Sequence, residues 1–199
     1  MYNFKIFDSK ENNYLVSQKM NKKKKFDSRK GILFWVTGLP GSGKTAIAKK
    51  LKKSISKEFG PTIIISGDDL RKIFKFKKYT KLERLKNGYK FVDFCKFCTN
   101  QNLNVIFAAV GLLHKLQSYN KKNIKNYIEI FIKSDLKKIL KKGKKKIYKK
   151  FNKNIVGFDI KPEFPKNPDI VITNDFSKSI DYLSNKIFQN LKNKYKRQV

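Results

Sequence analysis

The sequence predicts a single three-layer α/β fold, a parallel sheet with helices on both faces, and three observations predict it. Short unbroken apolar runs alternate with segments of helical period. One of those runs passes directly into a glycine-rich loop that opens a helix. The chain has 199 residues, enough for one α/β core and too few for two independent ones. Strands covered on both faces read as continuous apolar runs, and their alternation with helices implies right-handed crossovers between parallel neighbours.

Residues 1–30 mix Asn, Lys and aromatics without a sustained period and close on the run Lys22 to Lys25. They read as a flexible basic N-terminal arm ahead of a domain over 31–195. From Gly31 the pattern changes, and Ile32 to Val36 reads as a buried strand. Thr45 to Glu58 carries Ile47, Ala48, Leu51 and Ile55 at helical spacing, and Gly60-Pro61 ends that helix before a strand from Thr62 to Ile65. A helix follows over Lys81 to Asn100, then strands at Val105 to Ala109 and Ile128 to Ile132. A short helix from Asp135 to Lys142, a strand at Ile170 to Ile172 and a helix from Ser177 to Lys192 complete the set. The aperiodic Lys-, Asn- and Pro-rich stretch before the last strand, within about 143–168, has the length and composition of a lid.

Forty per cent hydrophobic and 14% aromatic residues argue for a folded chain although 32% of residues are charged. A formal net charge of +33 directs attention to anionic partners: nucleic acid, an anionic membrane surface or polyanionic substrates. The excess is nearly all Lys, with Arg only at Arg29, Arg71, Arg84 and Arg197. Readout of phosphate or bases favours the bidentate Arg fork, so a uniform Lys excess fits compositional drift in an AT-rich genome better than nucleic-acid binding. No apolar stretch approaches the ~20 residues that span a bilayer and the N-terminus lacks a signal-peptide core, so no membrane partner and a cytoplasmic location are expected. Cys95 and Cys98 form a CxxC without a second Cys or His pair, in a helical stretch where buried thiols are ordinary core. His114 is the only histidine, which argues against a multi-histidine metal site or a Ser-His triad.

Gly38, Leu39, Pro40, Gly41, Ser42, Gly43, Lys44 and Thr45 fit the phosphate-loop pattern GxxxxGK[ST]. Between a buried strand and a helix, such a loop turns its backbone N–H groups and the helix N-terminus toward phosphate oxygens. The pattern predicts ATP as ligand, Lys44 bridging its β- and γ-phosphates and the Thr45 hydroxyl on Mg²⁺; a glycine-rich turn without a ligand is the alternative. The second strand ends in Ser66-Gly67-Asp68-Asp69-Leu70-Arg71, which brings two carboxylates to the edge where open α/β sheets bind ligands. One can deprotonate an attacking hydroxyl, or either can cap the following helix.

Phe34 to Thr45, then Gly67-Asp68-Asp69-Leu70-Arg71, then Pro162-Glu163-Phe164-Pro165-Lys166-Asn167-Pro168-Asp169, in this order, resemble the adenylyl-sulfate kinase family over about residues 31–190. The resemblance implies the three-layer P-loop NTPase fold with a lid and phosphorylation of the 3′-hydroxyl of adenylyl sulfate by MgATP. It implies further that Asp68 is the base acting with Lys44, that Arg71 holds the acceptor's anionic groups, and that Arg84 and Asn87 form a second substrate-binding pair. Tyr79 falls where the family stacks a ring on the base, and Lys145, Ile147 and Tyr148 resemble the start of its lid. The small nucleotide acceptor and ATP are the expected partners, with a second copy of the chain, in a homodimer, also open.

Departures from the family pattern bear on the acceptor. Ser66 replaces an aspartate, Gly111-Leu112-Leu113 replaces Ser-Pro-Tyr, the lid is short, and Ile155 stands where the family has a second stacking aromatic. Asn120 to Tyr127 and Val156 to Ile160 are similar to a branch associated with surface-glycan synthesis, which implies as an alternative a different acceptor such as cytidine diphosphoramidate. The charge, the short lid and Ser66 leave a third alternative, a nucleic-acid-binding or regulatory protein that keeps a degenerate nucleotide site.

Overall fold

A computed structural model describes residues 26–144 and 154–195 of the chain. Five strands, β1 (Leu33–Gly38), β2 (Thr62–Ser66), β3 (Asn104–Ala108), β4 (Tyr127–Lys133) and β5 (Ile170–Thr173), form one sheet in the order β2-β3-β1-β4-β5. Every pairing is parallel. The helices are α1 (Lys44–Phe59), α2 (Gly67–Ile73), α3 (Lys81–Asn100), α4 (His114–Asn123), α5 (Leu136–Ile139), which runs on into a π-helical turn Leu140–Lys144, and α6 (Ile180–Lys194).

The unbroken apolar runs are explained by the two layers of helix. Successive side chains of a strand point to opposite faces. Phe34 and Val36 of β1 enter a core with Ile47, Leu51 and Ile55 of α1 and Ile187 and Leu191 of α6. Leu33 and Trp35 enter a second core with Phe91, Val92 and Cys95 of α3 and Leu116 of α4. Both cysteines are buried, free thiols of that second core, and burial pushes their pKa up. No helix among the described residues is long and apolar enough to cross a membrane.

Parallel strands send their carboxyl ends to one edge, so the loops after β1, β2 and β3 meet there. Boundaries differ from the sequence reading in places, each with a local cause. The last helix begins at Ile180 instead of Ser177, because Asp175 accepts from the Ser177 N–H in a turn and Ser179 is the N-cap, accepting from the Tyr182 N–H. The helix expected over Asp135 to Lys142 has α-helical form only from Leu136 to Ile139 before it widens. The α4 helix lacked a clear apolar period in the sequence.

Residues 26–30, assigned by the sequence to the arm, are fastened to the domain. The Asn126 amide accepts from the Asp27 N–H and donates to the Asp27 and Lys30 carbonyls, while Phe26 stacks on Tyr195 at 5.1 Å. Residues 1–25 lie outside the described residues, as do Lys145, Ile147 and Tyr148 of the expected lid.

Gly31, just ahead of β1, is required by a close backbone approach. Its N–H donates to the Thr99 carbonyl at 2.8 Å, and a Cβ there would sit 2.1 Å from the Leu103 carbonyl oxygen. The opposing atoms are backbone and cannot swing aside. Gly31→Ala is therefore expected to cost about 1–3 kcal/mol of stability, read as a lower urea midpoint with unchanged m-value, whereas Lys30→Ala should leave the midpoint in place.

Candidate active site

The phosphate loop follows from β1 by backbone geometry. Gly38 has φ 154°, and a Cβ on it would meet the Ile132 carbonyl at 2.5 Å. Gly43, at φ 93°, is the N-cap of α1, and no side chain caps the helix or places an acid in its first turn. The N–H groups of that turn therefore lack a side-chain acceptor, which suits an anion. Lys44 is buried, 8% exposed, and donates its Nζ proton to the Leu39 carbonyl at 2.7 Å.

Burial holds the Lys44 ammonium down to about 8 from 10.5, with the Asp68 charge pulling the other way. Among the described residues it forms no ion pair. A buried cation with a carbonyl as its hydrogen-bond partner gains when a phosphate arrives.

Across the edge, α2 separates two neighbouring carboxylates by role. Ser66 is the N-cap: its Oγ accepts from the Asp69 N–H at 3.1 Å, and Asp69 Oδ2 accepts from the Ser66 N–H at 3.1 Å and its hydroxyl at 2.7 Å. This reciprocal capping box holds the Asp69 carboxyl below the usual range, chiefly through the Ser66 hydroxyl bond. Asp68 keeps a carboxylate without a hydrogen bond or ion pair among the described residues and lines the cleft. Of the two neighbouring carboxylates, Asp69 caps the helix and Asp68 faces the cleft.

The cleft has a volume of about 700 Å³. Lys44 and Thr45 line one part, Asp68, Arg71, Tyr79 and Arg84 another, with Ile155 and Val156 completing the wall. Asp68, Arg71 and Arg84 thus converge on one cavity with the phosphate loop. The Arg71 guanidinium lies 4.3 Å from the Tyr79 ring centroid and that of Arg84 5.2 Å. Burial lowers the Arg71 pKa, and burial together with the neighbouring Arg71 charge lowers that of Arg84 to about 10. Neither arginine forms an ion pair among the described residues, and the Asp68 charge acts on both from across the cleft, so two guanidiniums face one carboxylate there. Asn87, one turn beyond Arg84 on α3, is buried and stands outside the described lining.

Several contacts that hold the walls around the cleft join residues far apart in the chain and have no motif in the sequence. Arg84 donates to the Tyr79 carbonyl and to the Asn154 carbonyl, both at 2.9 Å, which ties α3 to the segment carrying Ile155. That segment turns at Gly157, where a Cβ would meet Leu39 of the phosphate loop at 2.9 Å. Glu163 accepts from Lys81 Nζ and from the His114 N–H, both at 2.7 Å, so one carboxylate caps α4 and pairs with the start of α3. Along α4, His114 lies against the Phe164 carbonyl, while Gln117 and Lys121 donate to the carbonyls of Glu163 and Asn167. The spacing of 114, 117 and 121 is a helical stripe, a signal present in the sequence but indistinguishable there from a solvated face.

A phosphate loop at the end of the central parallel strand, with a cationic cleft and a carboxylate beside it, defines the P-loop kinase class. The chain belongs to the adenylylsulphate kinase family, whose profile matches residues 30–173. It is 32% identical over 153 residues to the cytidine diphosphoramidate kinase of Campylobacter jejuni, covering 75% of this chain and 89% of that protein. It is 27% identical over 186 residues to the adenylyl-sulfate kinase of Clostridium kluyveri, covering 87% and 92%. The APS kinase of Mycobacterium tuberculosis, solved in complex with AMPPNP and APS, has the same fold, with a TM-score of 0.73 at 22% identity over 82% of this chain and 98% of that one.

The dry Lys44 charge gives a stability test. Its folded-state pKa lies below the unfolded one, so the unfolded chain holds more protons between about pH 8 and 10.5. The burial cost is complete below pH 8 and fades as pH rises through that window. Without nucleotide, Lys44→Met should stabilise the protein by about 1–3 kcal/mol at pH 7, net of the lost Leu39 bond, and by less at pH 10. Urea unfolding at both pH values reads this directly; an advantage absent at pH 7, or undiminished at pH 10, contradicts it.

Proposed function

We propose that this chain transfers the γ-phosphate of MgATP to the 3′-hydroxyl of a nucleotide bearing an anionic tail on its 5′ side, and that cytidine diphosphoramidate is the acceptor. The observation that carries the kinase reading is the shared cleft, in which the free Asp68 carboxylate and the Arg71 and Arg84 guanidiniums line the same cavity as Lys44 and Thr45. The acceptor's base rests on a different observation. Tyr79 supplies a ring, and aliphatic Ile155 stands where the family has a second, which suits a pyrimidine better than a purine sandwiched between two rings. The 32% identity to a cytidine diphosphoramidate kinase agrees. Adenylyl sulfate is the second reading, supported by the family profile and the 27% identity to an adenylyl-sulfate kinase.

In this mechanism the phosphate-loop N–H groups and Lys44 hold the β- and γ-phosphates, and phosphate oxygens stabilise the Lys44 charge that burial disfavours. Thr45 lines the cleft with no acid in the first turn of α1 to compete for its hydroxyl, which suits it to hold Mg²⁺ jointly with the nucleotide. The ion would neutralise charge that builds on the phosphates. Asp68 takes the proton of the acceptor hydroxyl as its oxygen bonds to the γ-phosphorus; the bond from that phosphorus to the bridging oxygen breaks, and ADP departs. Arg71 and Arg84 hold the acceptor's anionic tail and so fix which hydroxyl faces the phosphate.

The test is a comparison of acceptors. With MgATP, cytidine diphosphoramidate should give a 3′-phosphorylated product at a higher kcat/KM than adenylyl sulfate, and Asp68→Ala should lower kcat by ~10²–10⁴-fold with ADP affinity retained. Preferential consumption of adenylyl sulfate would return the assignment to the second reading, and turnover surviving Asp68→Ala would remove the proposed base.

Ile155→Phe provides a separate check of the base assignment. Restoring a ring should raise kcat/KM for adenylyl sulfate about tenfold, within the ~1–3 kcal/mol of one stacking contact. No change, measured beside the cytidine nucleotide, would mean that residue 155 does not face the base.

A further inference from the structure

The last strand supplies a residue for which the phosphate-loop pattern has no place. Asn174, just past β5, is 2% exposed, and its Nδ2 donates to the Ser42 carbonyl inside the phosphate loop at 3.0 Å. Its Oδ1 accepts from the Phe176 N–H at 3.0 Å, and its own N–H donates to the Lys133 carbonyl of β4 at 2.8 Å. One partner can only accept and the other can only donate, so they fix which way the amide faces. The loop is fitted to this amide: a Cβ on Gly43 would stand 3.0 Å from Asn174 Nδ2. Phe176 holds φ 68°, an unusual conformation for a bulky residue, where the chain turns to bring its N–H to Asn174.

The consequence comes from the peptide plane. The described chain contains no cis peptide bond. In a trans peptide the carbonyl and the following N–H point in opposite directions across a rigid plane. A donor that holds the Ser42 carbonyl from behind therefore turns the Gly43 N–H to the other side, and Gly43 lines the cleft. We infer that Asn174 is a positioning residue for the phosphate donor: it fixes the Ser42–Gly43 peptide and so aims the Gly43 N–H at a nucleotide phosphate. It touches no reacting atom itself. The inference rests on the reading that residues 38–45 hold the donor's phosphates.

The experiment uses the full chain with MgADP as probe. Asn174→Asp keeps the shape and the bond to Phe176 but puts a carboxylate oxygen against the Ser42 carbonyl; Asn174→Ala removes both bonds. Both variants should bind MgADP at least tenfold more weakly in calorimetry and show a raised KM for ATP, with the KM for the acceptor unchanged. A residue with only a packing role would instead let ADP affinity follow thermal stability in both variants. Folded Asn174→Asp that binds MgADP within twofold of wild type overturns the inference. Should neither variant fold, amide NMR on the wild type decides: the Gly43 amide proton should move downfield on adding ADP, and a stationary Gly43 signal beside a moving Lys44 signal overturns it. Wild-type protein that binds no MgADP defeats the site reading, and this inference with it, a result distinct from variants that bind as well as wild type.

Discussion

The buried ammonium of Lys44 is the constraint around which the rest is arranged. A charge 8% exposed, bonded to the Leu39 carbonyl and without a carboxylate in an ion pair, costs folding free energy that an uncharged side chain would not. The fold tolerates it because the surrounding core is extensive, with the sheet packed by α1 and α6 on one face and by α3 and α4 on the other. On the proposed reading a bound phosphate would turn the same charge from a cost into an attraction, so that stability and ligand binding are opposed at one atom, as expected where a site is organised before its ligand arrives.

The acceptor side of the cleft shows a similar economy. Capping α2 requires one acid, and Asp69 supplies it through the reciprocal bonds with Ser66. Asp68, one residue earlier on the first turn, is left to face the cleft. Ser66 departs from the family's aspartate, and its hydroxyl performs the cap without adding a third carboxylate beside the two. Arg84 combines two functions, since the guanidinium that lines the cleft also bonds the Asn154 carbonyl and so carries Ile155 into the wall.

The sequence made the donor half legible because its signal is local. Glycines at 38, 41 and 43, Lys44 and Thr45 occupy eight consecutive residues, and the strand before them and helix after them announce themselves by period. The placement of Asp68 and Arg71 at the sheet edge was legible for the same reason, both following a strand end. The clamps were not. Asn174 meets Ser42 across 132 residues, and Gln117 meets Glu163 across 46, in both cases through a backbone carbonyl that carries no residue identity. Asn87 and Arg84 share a helix face in the sequence, yet the structure brings Arg84 into the described lining and leaves Asn87 buried beside it. Burial depth within one turn of helix is set by what packs above, which no local pattern reveals.

The proposed reaction requires donor and acceptor to meet in this one cleft with Asp68 between them. A crystal structure with MgADP and the acceptor nucleotide measures that most directly. It should place the β-phosphate within the 38–45 loop, the acceptor's tail against Arg71 and Arg84, and its 3′-hydroxyl within about 3.2 Å of an Asp68 carboxylate oxygen. An acceptor bound outside the cleft, or an Asp68 carboxylate turned away from every acceptor hydroxyl, would contradict it.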